Sequence, residues 1–266
     1  MSKFTDQQYL KTDQYRDSSN LDARIVLHQR FSNNSYGWFT WVFDTLLESP
    51  DNAKILELGC GHGLLWRENA SRIPAGWDVT LSDLSPGMLD AAWRNLVVTG
   101  RTFKFKEIDA QAIPYENETF DAVIANHMLY HVPDRPKAIA EIRRVLKPGG
   151  HLVATTLGKS HMKEMSDWMR RASTDKHIEP FSLPFSLENG LEQLDPFFAH
   201  VKLSRYEDHL QVTELEPIIA YLSSGFQATE VIEAKVEKIR KELQARLATE
   251  KSIFISKDSG LFEAVK

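Results

Sequence analysis

The run Ile55-Leu56-Glu57-Leu58-Gly59-Cys60-Gly61-His62-Gly63 constrains this chain more than any other. Apolar residues lead straight into three glycines on alternate positions, with an acid two places before the first. The pattern reads as a buried strand that ends in a tight turn and opens a helix. Without a Cβ, such a turn brings backbone close to a ligand. A second acid, Asp83, ends the next strand-like run, Asp78-Val79-Thr80-Leu81-Ser82-Asp83. It follows Gly63 at about the 20-residue spacing at which a carboxylate grips a ribose in nucleotide-binding α/β folds. Together these features point to an adenosine-containing cofactor.

From residue 53 onward, apolar runs alternate with segments of helical length. Strands are expected at 53–58, 78–83, 102–108, 120–125 and 150–156, with helices near 63–72, 86–98 and 135–146. This alternation predicts a Rossmann-like, doubly wound, mostly parallel sheet covered by helices on both faces. Lys147-Pro148-Gly149-Gly150 is a strong helix stop. A sixth strand is expected at 199–207 and a last one over 260–265, at the sheet edge. Residues 21–48 read as helical, and Met162, Met165, Trp168 and Met169 carry the spacing of a buried helix face. Thr213-Glu214-Leu215-Glu216 has the pattern of a capping box for a helix over 213–224. Residues 230–251 form a long charged helix with an apolar stripe of Ile232, Val236, Ile239, Leu243 and Leu247. The domain organisation expected is a helical cap or lid over 1–50, a core over 51–157, and completion of the sheet with inserted cap helices over 158–266.

Composition narrows the function classes. With 266 residues and 42% hydrophobic content, the chain can bury a sizeable core. Its formal net charge of −5 gives no global field for nucleic acid or anionic membrane. The single cysteine, Cys60, excludes an intramolecular disulfide. No apolar run approaches the roughly 20 residues of a spanning helix, and the polar opening lacks the core of a signal peptide. A cytoplasmic protein, monomeric or homodimeric, is the expectation.

The ordered motifs resemble one family. Glu57-Leu58-Gly59-Cys60-Gly61-His62-Gly63 looks like motif I of the class I S-adenosylmethionine-dependent methyltransferases, and Asp83-Leu84-Ser85-Pro86-Gly87-Met88-Leu89 like the second motif. Asp109-Ala110-Gln111-Ala112-Ile113-Pro114-Tyr115 is similar to the adenine-contacting turn. Phe120 to His127 resembles the fourth strand and its exit, and Arg143 to Gly150 the helix and turn before the fifth. The resemblance covers residues 50–157 and is nearest to the ubiquinone/menaquinone-type group that methylates small molecules. It implies about seven strands, the last antiparallel, with S-adenosylmethionine as cofactor and S-adenosylhomocysteine as product. It also implies roles. Gly59, Cys60 and Gly61 pass close to the methionine part, which Glu57 orients. Asp83 accepts both ribose hydroxyls, Leu84 and Met88 sandwich the adenine, and Asp109 with the Ala110 amide reads its edge. Asn126 sits beside the sulfonium.

For the acceptor, His131 and His127 are candidate bases, because histidine titrates near neutrality. Four residues apart, they would share one face of a helical turn. No carboxylate completes a metal site beside them, so no metal is expected. Tyr15, Tyr36 and Trp38 are candidate pocket walls, since aromatic faces attract cations. These aromatics and the Met/Trp segment suggest an apolar or aromatic small-molecule acceptor. Three alternatives stay open: an RNA or protein methyltransferase, a cofactor-binding protein without turnover, and an NAD-linked enzyme. Against the first stand the absence of a basic face and Asn126-His127-Met128-Leu129 where amino-group methylators carry Asn-Pro-Pro-Tyr. Against the last stand glycines at positions one, three and five.

Overall fold

The computed structural model describes residues 3–172, 182–225 and 230–266, with the side chains of 230–233 excepted. The chain opens with a strap of short turns: a 3-10 turn at Lys3–Thr5, α1 (Gln7–Tyr9) and a π turn at Leu10–Gln14. Two helices follow, α2 (Ser19–Phe31) and α3 (Trp38–Leu46). The alternating part is β1 (Lys54–Leu58), α4 (Leu64–Glu68), β2 (Asp78–Asp83), α5 (Pro86–Leu96), β3 (Lys104–Glu107), β4 (Phe120–Asn126), α6 (Arg135–Val145) and β5 (Leu146–Leu157). Then come α7 (Lys163–Ala172), α8 (Gly190–Leu194), β6 (His200–Tyr206), β7 (His209–Val212), α9 (Leu215–Ser223), α10 (Glu230–Glu250), β8 (Ile253–Ser256) and β9 (Ser259–Val265).

The main sheet has seven strands in the order β3-β2-β1-β4-β5-β9-β6. β9 is antiparallel to both β5 and β6, and the other neighbouring pairs are parallel. The expected fold class holds, but β9 is not at the edge. It inserts between β5 and β6, because Leu261, Phe262 and Ala264 are buried residues of near-continuous apolar sequence. β6 takes the edge, and its alternating, mostly exposed residues suit that place.

Side chains alternate along β1. Leu56 and Leu58 pack on one face with Ala138, Ile139 and Ile142 of α6. Ile55 packs on the other with Val42, Phe43 and Leu46 of α3, Leu65 and Trp66 of α4, and Leu96 of α5. Period-two alternation therefore sends Glu57 towards α4, into the same layer as Trp66.

A third cluster lies over the sheet's carboxyl ends. It joins Leu27 and Phe31 of α2, Met165 and Trp168 of α7, Ile218 of α9, Ile239 and Leu243 of α10, and the small β7–β8 sheet. The Met/Trp face and the α10 stripe at Val236, Ile239 and Leu243 are buried, as their spacing predicts. The side chain of Ile232 lies outside the described residues. The β7–β8 pair has no counterpart in the sequence reading.

Two local expectations fail for identifiable reasons. Residues 21–48 are not one helix. Ser32 to Gly37 break it, with Gly37 at φ 87° and Asp208 accepting the amides of Asn33 and Asn34. The capping box at Thr213 does not form either: Glu214 is the N-cap and makes no side-chain cap. Its would-be partner Glu216 is held by the Arg240 guanidinium of α10 instead.

Candidate active site

A cavity of about 590 Å³ opens where the parallel strands end. That lies within the roughly 300–1,000 Å³ usual for small-molecule pockets. Leu58, Asp83, Asn126 and Leu157, the last residues of β1, β2, β4 and β5, line it with Gly59 after β1 and Ser259 at the start of β9. This is the crevice in which open parallel sheets bind ligands.

At one end the acids gather. Glu57 is buried, and its Oε2 accepts the Trp66 indole N–H at 2.6 Å. Burial pushes its carboxyl up to about 8, the Trp66 bond opposing this and the Asp83 charge adding to it. Asp83 accepts the Gly61 amide at 3.0 Å and the Ser85 amide at 2.9 Å. Burial pushes Asp83 up to about 6 against those bonds. A buried Glu57 beside a half-buried Asp83 suits a cationic ligand bearing an amino group, so the residues present fit S-adenosylmethionine.

This arrangement sets a proton balance. Glu57 titrates near 4.5 when solvated and near 8 here, so at pH 7 the ligand-free protein holds its proton. A cation beside it favours the carboxylate and lowers the pKa. Binding of S-adenosylmethionine at pH 7 should therefore release close to one proton. Calorimetry in buffers of different ionisation heat reads this number directly. Glu57→Gln should abolish the release, whereas a buffer-independent heat in the native protein would show that Glu57 stays outside the ligand's field.

Gly59, Cys60 and Gly61 line the cavity. Gly59 and Gly61 both have positive φ, yet a Cβ on Gly59 would lie 2.7 Å from Met128 Cβ, and one on Gly61 would lie 3.1 Å from Leu21 Cδ2. The space they leave is already taken up by the chain. Cys60 is buried, and burial raises its thiol well above the ordinary range. Leu84, Met88, Asp109 and Ala110 also line the cavity. For Asp109, hydrogen bonds from Gln111 and Gln7 outweigh burial and hold the carboxyl below its usual range.

The strap closes over this end. Gln7 Nε2 donates to Asp109 Oδ2 at 2.9 Å, and Lys11 pairs with Glu107. The Ser85 hydroxyl donates to the Tyr15 carbonyl at 2.6 Å. Gln7 gave no sequence signal, because its partner is 102 residues away.

Beyond Asn126 the walls become aromatic. His127 has φ 53° and is not on a regular helix, so its relation to His131 differs from the helical face expected. Its ring stacks on Trp38, with centroids 5.2 Å apart. Burial, aided by the Lys257 charge, lowers His127 to about 4. His131 Nδ1 lies 2.8 Å from the Phe4 carbonyl, which can only accept, so Nδ1 carries the proton. Nε2 then accepts the Tyr15 hydroxyl at 3.0 Å. Burial lowers His131 to about 4, with the Phe4 bond opposing. Tyr15 and Trp38 line the cavity; Tyr36 does not. It is 53% exposed and donates its hydroxyl to Asp44, because the break at Ser32–Gly37 turns it outward.

The far end is built from residues the sequence reading did not single out for function: His28 of α2, His161, Tyr221 of α9 and Lys257. Only His161 carried a usable signal, standing just past the carboxyl end of β5. Among the described residues no group of three or more His, Cys, Asp or Glu could hold a metal ion. No described helix is long and apolar enough to cross a membrane.

Comparison with known proteins agrees with this geometry. Residues 56–154 match the family model described as a methyltransferase domain. The chain is 29% identical over 136 residues to the malonyl-[acyl-carrier protein] O-methyltransferase of Serratia marcescens, covering 50% of this chain and 49% of that protein. It is 34% identical over 111 residues to the ubiquinone biosynthesis O-methyltransferase of Alkalilimnicola ehrlichii, covering 41% and 44%. The chain thus spans about half the length of the curated relatives it matches. Among solved structures, the Haemonchus contortus phosphoethanolamine N-methyltransferase 2 with S-adenosyl-L-methionine has the same fold. Its TM-score is 0.59 at 20% identity, over 100% of this chain and 60% of that one.

Proposed function

We propose that this chain, whose residues 56–154 form a class I S-adenosylmethionine-dependent methyltransferase domain of the small-molecule type, methylates a small acceptor held beneath the strap. S-adenosylmethionine is the cofactor of that domain. The observation that carries the reading is one cavity with the carboxyls of Glu57, Asp83 and Asp109 at one end and an aromatic, histidine-rich wall at the other.

When bound, the cofactor supplies an electrophilic methyl group on a good leaving group. The protein's own work is therefore alignment and exclusion of water. In this reading Asp83 accepts from the ribose hydroxyls, Met88 and Leu84 cover the adenine, and Asp109 exchanges Gln7 for the adenine amino group. Asn126 is oriented by Thr155, whose hydroxyl donates to its Oδ1 at 2.7 Å. Trp38 and the strap shut out solvent. His131 is neutral at pH 7, with its Nε2 lone pair on the Tyr15 hydroxyl. An acceptor hydroxyl or amine that displaces Tyr15 meets that lone pair and can pass it a proton.

The test is transfer of labelled methyl from S-adenosylmethionine to a panel of small metabolites. His131→Ala should cut turnover at least tenfold while changing S-adenosylhomocysteine affinity less than threefold. Unchanged turnover would return His131 to a structural role, and labelling of bulk RNA or protein in preference to small molecules would overturn the acceptor class.

A further inference from the structure

The two ends of the cavity carry opposite chemistry. Its acidic lining residues, Glu57, Glu68, Asp83 and Asp109, come from β1, α4, β2 and the turn after β3. The other lining groups include His28 of α2, His161 after β5, Tyr221 of α9 and Lys257 before β9, with Arg24 of α2 bonded to Ser224.

Lys257 is buried, its side chain only 6% exposed, and it pairs with a fully buried Asp208. The two partners are unequally satisfied. Asp208 also accepts the Ser32 hydroxyl at 2.6 Å and the amides of Asn33, Asn34 and His209 at 3.1, 3.0 and 2.8 Å. An ammonium has three donors, and Asp208 takes one. The Tyr206 ring lies 5.7 Å from Nζ and attracts the cation without accepting a conventional hydrogen bond. A buried cation with donors to spare, lining a cavity, has the chemistry of an anion site.

The imidazoles add to it. Asp258 donates its amide to His161 Nδ1 at 3.3 Å, which leaves the His161 proton on Nε2. The His28 ring lies 5.9 Å from His161 and 5.9 Å from Tyr221. His28 Nδ1 is buried with no partner among the described residues. An orphaned N–H is rarer in folded proteins than an orphaned acceptor, so the His28 proton also belongs on Nε2. After burial, the Lys257 charge is the leading influence holding His28 down to about 3, and it acts on His127 and His161 as well. All three rings feel the Lys257 charge, whose carboxylate partner Asp208 does not line the cavity.

Sheet order gives the distance. Asn126 ends β4, Leu157 ends β5 and pairs with Ser259 of β9, and Lys257 precedes Ser259 by two residues. β4 and β9 are two strand spacings apart, roughly 10 Å at ~4.8 Å each. Lys257 therefore stands on the β9 side of the cavity, two strands across the sheet from Asn126, while its charge still reaches the His127 ring.

We propose that the methyl acceptor carries a carboxylate or phosphate seated among Lys257, His28 and His161, on the β9 side of the cavity, two strands across the sheet from Asn126. This rests on the reading of the cavity as a cofactor end and an acceptor end.

Calorimetric titration tests it. Protein first shown to bind S-adenosylhomocysteine, and loaded with it, is titrated with octanoate, octyl phosphate and 1-octanol. At least one anion should bind at least tenfold more tightly than the alcohol, and which one it is separates a carboxylate from a phosphate. Lys257→Met should reduce that preference below threefold and leave S-adenosylhomocysteine affinity unchanged. His28→Phe keeps the ring packing and Asp208's partner, and should reduce the preference at least threefold should Lys257→Met not fold. Equal binding of all three probes, or a preference that survives the substitutions in folded protein, overturns the inference while the cofactor reading stands. No heat with S-adenosylhomocysteine at the outset overturns both.

Discussion

Replacing Asp83 with alanine should weaken S-adenosylhomocysteine binding at least tenfold, and about a hundredfold if both ribose bonds are lost. A hydrogen bond to a charged group contributes about 1.5–3 kcal/mol, and 1.4 kcal/mol is tenfold in affinity. Two such bonds at the lower value give the larger figure. The same carboxylate ties the loop, because it accepts from Gly61 on one oxygen and Ser85 on the other. Asp83→Asn separates the two contributions. Its single carbonyl oxygen can hold one amide and one hydroxyl, so its loss should be intermediate. Calorimetry on material with a normal thermal transition measures both variants, and native affinity in folded Asp83→Ala would remove Asp83 from the ribose.

Gly61→Val should lower the same affinity at least tenfold, for a different reason. Gly61 has φ 54°, where a β-branched residue is a genuine outlier. Holding one there costs about 1–3 kcal/mol. The new side chain would also begin 3.1 Å from Leu21 Cδ2 of α2. The loop then either rotates, which draws the Gly61 amide away from Asp83, or pushes α2 outward from the cavity. Both routes damage the acidic end, and the second also loosens the α2 helix that carries His28. Hydrogen exchange over residues 19–31 distinguishes them: faster exchange marks displacement of α2, unchanged exchange marks a rotated loop. Native affinity in Gly61→Val would refute the need for this backbone conformation.

Much of the acidic end of the cavity was legible because its signals are local. β1 delivers Glu57 and the glycine turn within nine residues, and Asp83 and Asp109 each end a strand or its following turn. Strand period, turn residues and the carboxyl-end rule place such groups without knowledge of distant contacts. Tyr36 shows the limit of the same reasoning. It lies two residues from Trp38, yet Trp38 stacks on His127 inside the cavity while Tyr36 bonds Asp44 outside. The break at Ser32–Gly37 separates them, and it is fixed by Asp208, 174 residues from Asn34.

The parallel framework and the carboxylates at its strand ends follow from patterns a few residues long, since alternation and turn chemistry act between near neighbours. The far end of the cavity does not. His28, His161 and Lys257 come from α2, the exit of β5 and the turn before β9. They meet because β9 threads between β5 and β6 and the α2–α9–α10 layer packs above them. Burial among those elements, rather than any property of the residues in isolation, keeps the imidazoles neutral and leaves Lys257 with donors facing a cavity.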